Sequence, residues 1–285
     1  MPTFDVPGAT VAYHDTGMPD GVADAPTVVF GHGLLFGSWM FRSQVAALQG
    51  RYRCVTIDWR GQGESPEARD GYDMDSLTSD AVALITRLGV GPVHWVGLSM
   101  GGFVGQRLAA RHGELIRSLT LLDTSAEAEE PAKARARRQM ALFQLVFGIG
   151  PILGKVKPLL FGARFLADPG NDELIGEWRR RVGATRRTAV RKAVLGVAGR
   201  LAVAPELDAI TAPALVVVGA DDRATPPEHS RRIAAGIRGA RLRIVPDCGH
   251  SSTLEQPGAV SDLLAEFLRE VDQAGHGTQA VAVTP

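Results

Sequence analysis

The sequence predicts an α/β protein with a doubly wound, mostly parallel sheet. Two observations carry this. Short, continuously apolar runs bounded by turn residues alternate with longer stretches of helical periodicity, and the runs lack the polar alternation of half-solvated strands. The third observation is a break in this rhythm. Residues 124–210 hold helix-favouring stretches without a strand, which predicts a helical cap inserted over the sheet. The resulting division is a core formed by 1–123 and 211–272, a cap at 124–210, and a loose tail at 273–285.

The elements follow in order. "ATVAYHD" (9–15) alternates with period two and predicts an antiparallel edge strand. "PTVVFGHG" (26–33) is a buried strand ending in a glycine turn, and 38–50 a helix with Trp39, Phe41, Val45 and Leu48 on one face. A strand and loop occupy 53–65. A helix at 74–90 is marked by Leu77, Ala81, Leu84, Ile85 and Leu88. Strand 92–97, helix 100–113 and strand 116–123 complete the first half. After the cap come a strand at 213–222, a helix at 227–235, a strand at 240–249 and a final helix near 252–270. The tail from 273 has no helical pattern.

Composition narrows the function. The 285 residues are 45% hydrophobic and 22% charged, ordinary for a globular protein with one sizeable core. A formal net charge of zero argues against nucleic acid as a partner. The charge is nevertheless uneven: residues 125–205 carry 15 Lys/Arg against 7 Asp/Glu, a solvated basic face or an attraction for an anionic substrate. Two cysteines, Cys54 and Cys248, make no disulfide framework and fit reduced cytosolic thiols. The start lacks a basic segment followed by an apolar one, and no apolar run approaches the roughly 20 residues of a membrane span. The expected location is the cytoplasm.

The chemistry centres on "VGLSMGG" (96–102). A strand runs directly through Ser99 into a helix, a turn sharp enough to force unfavourable dihedrals on its middle residue. Small residues two before and two after relieve the clash. Such a turn lifts the hydroxyl above the carboxyl end of the sheet, where ligands bind in open α/β folds. A serine hydroxyl is a weak nucleophile and needs a base, and the base needs an orienting acid. Of seven histidines, His14, His94, His112, His229 and His276 lie away from that end. His32, in "GHG", belongs to a turn suited to bringing backbone N–H groups near the serine. His250, in the loop after the last strand, is the predicted base. Asp221, Asp222 and Asp123 all end strands near it. No group of residues has metal-ligand spacing and no glycine loop suits a phosphate, so no metal or cofactor is expected.

These segments resemble the α/β-hydrolase superfamily from about residue 9 to residue 270. The landmarks "GHG" (31–33), "DWRGQGES" (58–65), "GLSMGG" (97–102), "GADDRATPP" (219–227) and "GH" (249–250) occur in that order. The Ser…Asp…His order is also that superfamily's. The resemblance implies Asp222 as the acid. It also implies backbone N–H groups of Leu34 and Met100 as the oxyanion site, whose loss costs about 10²–10³ in rate. Asp58 and Arg60 are read as structural, holding their loop beside the nucleophile turn. Haloalkane dehalogenases and epoxide hydrolases of this fold carry Asp where this chain has Ser99, so acyl transfer is implied instead. The core motifs are most similar to 3-oxoadipate enol-lactonases and nearby carboxylesterases.

The expected activity is hydrolysis of a small-molecule carboxylic ester or lactone through an acyl-enzyme. A cofactor-free haloperoxidase or perhydrolase and a carbon–carbon bond hydrolase are alternatives within the fold. A non-catalytic ligand receptor is the alternative outside enzymology. His32, Leu35, Trp39, Phe143 and Phe147 are the candidate pocket residues, the last two in the apolar stretch 141–162.

Overall fold

The computed structural model describes residues 1–279, with side chains as far as Ala274. Eight strands form one sheet: β1 (Thr3–Val6), β2 (Ala9–Asp15), β3 (Thr27–Gly31), β4 (Arg53–Asp58), β5 (Val93–Leu98), β6 (Ile116–Leu122), β7 (Ala214–Gly219) and β8 (Arg241–Val245). Their spatial order is β1-β2-β4-β3-β5-β6-β7-β8. The β1–β2 and β2–β4 pairs are antiparallel and the other pairs parallel.

Helices cover both faces: α1 (Arg42–Leu48), α2 (Met74–Leu88), α3 (Met100–Arg111), α4 (Pro131–Phe147), α5 (Leu153–Leu160), α6 (Ala163–Ala167), α7 (Asp172–Ala184), α8 (Arg187–Ala198), α9 (Pro227–Gly236), α10 (Ser252–Glu255) and α11 (Pro257–Gln279). Between β6 and β7 every regular element is helical, so the cap is an insertion of α4 to α8. No described helix is long and apolar enough to cross a membrane.

The continuous apolar strands have a direct physical cause. Alternate side chains enter two separate cores, one on each face of the sheet. Val29, Trp95 and Val216 pack into one core with residues of α2 and α3. Their neighbours Val28, Phe30, Val96, Leu215 and Val217 enter the other, with α1 and α11.

Two expectations are corrected at the ends of the chain. The strand at 9–15 is not an edge, because β1 pairs with it from outside; β1 is four residues long and too short to stand out as a pattern. The last helix continues to Gln279 rather than ending near 270. Asp272 holds it against the sheet, bonded to Tyr52 Oη at 3.0 Å, His94 Nε2 at 3.2 Å and Arg117 at 3.0 Å. The expected loose tail therefore begins inside a helix, and residues 280–285 lie outside the described residues. Cys54 and Cys248 are buried and free; burial above all pushes the Cys54 thiol up to about 12.

The chain departs from β3 to one side and from β5 to the other. The carboxyl ends of these neighbouring strands thus flank a switch point of the sheet, where a crevice opens. The "GHG" turn leaves β3 and Ser99 leaves β5 there.

Candidate active site

Ser99 sits between β5 and α3 with φ 52° and ψ −107°, a left-handed conformation that is strained for a residue with a side chain. Its surroundings lock it there. The Ser99 N–H donates to Leu122 O at 2.8 Å, and its carbonyl accepts from Thr124 Oγ1 at 2.8 Å and Phe103 N at 2.9 Å. The flanking glycines are required by contact. A Cβ on Gly97 would lie 2.2 Å from Gly101 O, and one on Gly101 would lie 1.9 Å from Gly31 O. The start of α3 therefore presses directly on the end of β3.

His250 and Asp222 meet below the cap. His250 Nδ1 lies 2.8 Å from Asp222 Oδ2, and both residues are buried. A carboxylate can only accept, so Nδ1 carries the proton and Nε2 keeps its lone pair. Asp222 is itself held: Oδ1 accepts from Ala224 N at 2.8 Å and Thr225 N at 3.0 Å, and Oδ2 from Thr225 Oγ1 at 2.9 Å. Burial, and to a smaller extent the Arg137 charge, pull the His250 imidazole down. The charge and hydrogen bond of Asp222, aided by Asp123, outweigh them and leave His250 above the ordinary histidine range.

Asp123 is the near neighbour rather than the partner. Its carboxyl accepts from Gly219 N at 2.9 Å and Ser252 N at 3.3 Å. Burial, and then the charge of Asp222, hold it well above the usual carboxylate range.

Ser99 and His250 open onto one cavity between core and cap, about 900 Å³ of space partly open to solvent. Among the described residues no hydrogen bond joins the Ser99 hydroxyl to His250, a contact that commonly tightens only when substrate binds. Leu34 and Leu35 line the cavity as expected. The N–H groups of Leu34 and of Met100, the first residue of α3, have no acceptor among the described residues. The turn carrying Leu34 is braced by Gln62, whose Oε1 accepts the Leu35 N–H at 3.0 Å.

Four candidate pocket residues fall elsewhere. His32 is fully buried and spent: Nδ1 donates to Gly33 O at 2.7 Å, and Nε2 accepts from Trp59 N at 3.1 Å. Burial lowers its basicity more than the nearby Asp58 raises it. Trp39 borders outer grooves beneath the guanidinium groups of Arg181 and Arg42 instead of the cavity. Phe143 and Phe147 stand 43% and 60% exposed on the outer face of α4, their rings 4.7 Å apart. The face of α4 that lines the cavity is instead Arg137, Met140, Ala141 and Gln144, the i, i+3, i+4, i+7 row.

Asp58 and Arg60 are structural. Asp58 accepts from Ser38 N at 2.6 Å and Glu64 N at 2.8 Å, and Arg60 grips Asp80 through two 2.7 Å bonds. Glu255 carried no local signal in the sequence. Its carboxylate accepts three backbone N–H groups, from Gly162 (2.9 Å), Gly249 (2.8 Å) and Ser251 (3.0 Å), tying the His250 loop to the cap.

Residues 28–263 match the alpha/beta hydrolase family, and the chain belongs to it. It is similar to the enol-lactonase of Burkholderia xenovorans, at 29% identity and a TM-score of 0.86, covering 94% of this chain and 100% of that one. A thermophilic esterase from Thermogutta terrifontis, solved with malate bound, is 30% identical with a TM-score of 0.85, covering 94% and 97%. A Mycobacterium tuberculosis protein assigned as a non-heme bromoperoxidase is 29% identical over 265 residues, 92% of this chain and 98% of that one.

Proposed function

We propose that this hydrolase cleaves carboxylic esters or lactones through an acyl-enzyme on Ser99. The observation that carries the reading is the buried 2.8 Å His250–Asp222 pair. It fixes the tautomer that leaves Nε2 able to accept a proton at the cavity shared with Ser99. His250 Nε2 removes the Ser99 proton as Oγ attacks the substrate carbonyl. The oxyanion is met by the Leu34 and Met100 N–H groups, the second at the start of α3, where the helix also favours negative charge. The imidazolium, stabilised by Asp222, returns the proton to the leaving alkoxide. The neutral imidazole then takes a proton from water, which attacks the acyl-enzyme, and returns it to the departing Ser99 Oγ as the acid is released. Similarity to an enol-lactonase and an esterase supports this substrate class.

The test is covalent. A fluorophosphonate should add one phosphonyl group to Ser99, identified by peptide mass spectrometry, and block hydrolysis of p-nitrophenyl butyrate. Full ester turnover by a protein labelled at Ser99 would overturn the mechanism. Similarity to the bromoperoxidase relative supports a second reading, in which hydrogen peroxide replaces water at deacylation and a peroxycarboxylic acid leaves. Peroxide-dependent bromination in acetate buffer separates the two.

A further inference from the structure

The cavity lining is apolar except at Ser99, His250, Thr225, Gln144 and one cluster of charge. That cluster holds two guanidinium groups, Arg137 of α4 and Arg200 just after α8, and one carboxylate, Glu129. Arg200 is buried, with its Nε and Nη1 engaged. It donates to Glu127 O at 3.0 Å, Val197 O at 3.1 Å and Glu129 Oε2 at 2.8 Å, and lies 4.4 Å from the centre of the Phe103 ring. Its bond to Glu129 offsets the only acidic side chain in the lining.

Glu129 is paired with both guanidinium groups, so the cluster as a whole carries one positive charge in excess. The Arg137 Nε sits 2.9 Å from the same Glu129 oxygen but is not aligned to donate to it. Its terminal nitrogens hold no hydrogen bond among the described residues, and its side chain is only 25% exposed. A guanidinium has five N–H donors in a fixed fork suited to a carboxylate; here the Nε–H is buried without an acceptor, which is costly, and the terminal nitrogens have no protein acceptor among the described residues. Arg137 is also one of the charges felt at His250, where it acts against Asp222, so it stands within electrostatic reach of the base.

We infer that Arg137 is a specificity residue that binds a carboxylate on the substrate, so that the preferred substrates are esters or lactones carrying a second, free carboxylate. The inference rests on the ester-hydrolase reading for its chemistry. The site itself is defined by the charge cluster. One carboxylate shared between two guanidinium groups leaves a positive charge for a second carboxylate to meet.

The test compares three esters: neutral p-nitrophenyl butyrate, mono-p-nitrophenyl glutarate with its carboxylate on the acyl side, and 4-carboxyphenyl butyrate with it on the alcohol side. In Arg137→Gln, the ratio of kcat/KM for a charged ester to that for the neutral one should fall about ten- to a hundredfold, mainly through KM. Whichever charged ester responds locates the carboxylate. Arg137→Lys should keep part of the ratio, since the charge remains without the fork. Both ratios unmoved in Arg137→Gln would overturn the proposal.

A binding arm separates this inference from the mechanism. Calorimetric titration of glutarate into Ser99→Ala should show binding that Arg137→Gln weakens. If the wild type cleaves no ester, the hydrolase reading fails and this titration alone decides the subsite. Absence of glutarate binding in that case rejects it.

Discussion

A methyl group on Gly101 would come 1.9 Å from the Gly31 carbonyl oxygen, whereas across the cavity Leu142, Phe143, Val146 and Phe147 of α4 stand 43–60% exposed. The floor of the cavity is made of strand ends and a helix start in backbone contact. The roof is a helix with one row of residues turned inward and the rest free. The floor admits almost no change, so the position of Ser99 is set by packing of the core. The roof admits many outer residues, while its inner row meets whatever occupies the cavity. On the proposed mechanism, chemistry and selectivity thus reside in parts of the molecule with different tolerances.

The sharpest way to break this comparison is at Ser99, the proposed nucleophile. Ser99→Ala should lower kcat/KM for p-nitrophenyl butyrate by about 10⁵–10⁶-fold with an unchanged circular dichroism spectrum, as expected when a unit of acting residues loses one member. Next comes the acid. Asp222→Asn should cost about 10⁴-fold in kcat, because the amide favours the wrong imidazole tautomer. Asp123→Asn, at a carboxyl that burial already holds toward its protonated form, should cost far less. Equal losses in the two variants would mean that His250 draws on both acids.

The same pair sets the pH profile. His250 must be neutral to take the serine proton, and its pKa is raised, so activity should fall as pH drops through a value above the ordinary 6.5 or so. Asp222→Asn removes the strongest upward pull and should move that acid limb to lower pH, read from kcat/KM on the residual activity.

Smaller effects probe packing. Gly101→Ala should destabilise the protein by about 1–3 kcal/mol or more in urea titration and reduce activity as the turn shifts. The smallest effect belongs to the outer roof: Phe147→Ser should change stability by within about 0.5 kcal/mol and leave ester turnover unaltered. A large loss of turnover there would show that the outer face of α4 reaches the chemistry.

The same contrast governs what could be read from the sequence. The floor was legible because its constraints are local. The Ser99 turn needs glycines at fixed offsets, and strands that feed two cores read as unbroken apolar runs. The roof was not. Whether a residue of α4 faces the cavity depends on the rotation of that helix, which its surroundings decide. The apolar stretch 141–162 points to Phe143 and Phe147, and the structure turns Arg137 and Gln144 inward instead. Asp222 could be preferred to Asp123 only through resemblance, since both end strands at the same edge of the site. The 2.8 Å contact with His250 distinguishes them. β1 and the end of α11 carry no pattern of their own, because pairing with β2 holds the one and the bonds of Asp272 anchor the other.

Glu255 has a consequence for engineering. One of its three N–H donors, Gly162, belongs to the cap, and a Cβ on Gly162 would come 3.0 Å from Gly249 N. Burial raises the affinity of this carboxylate for protons, and the three donors counter it. A cap transplanted from a relative, however well its helices fit, must return a backbone N–H and a bare backbone to that one point. A graft that fails to do so leaves a buried carboxylate short of a donor and unsettles the loop that carries His250. Other contacts join the cap to the core, such as Trp178 Nε1 to Leu35 O and Lys192 to Glu67, but Glu255 is the carboxylate that binds cap and His250 loop together.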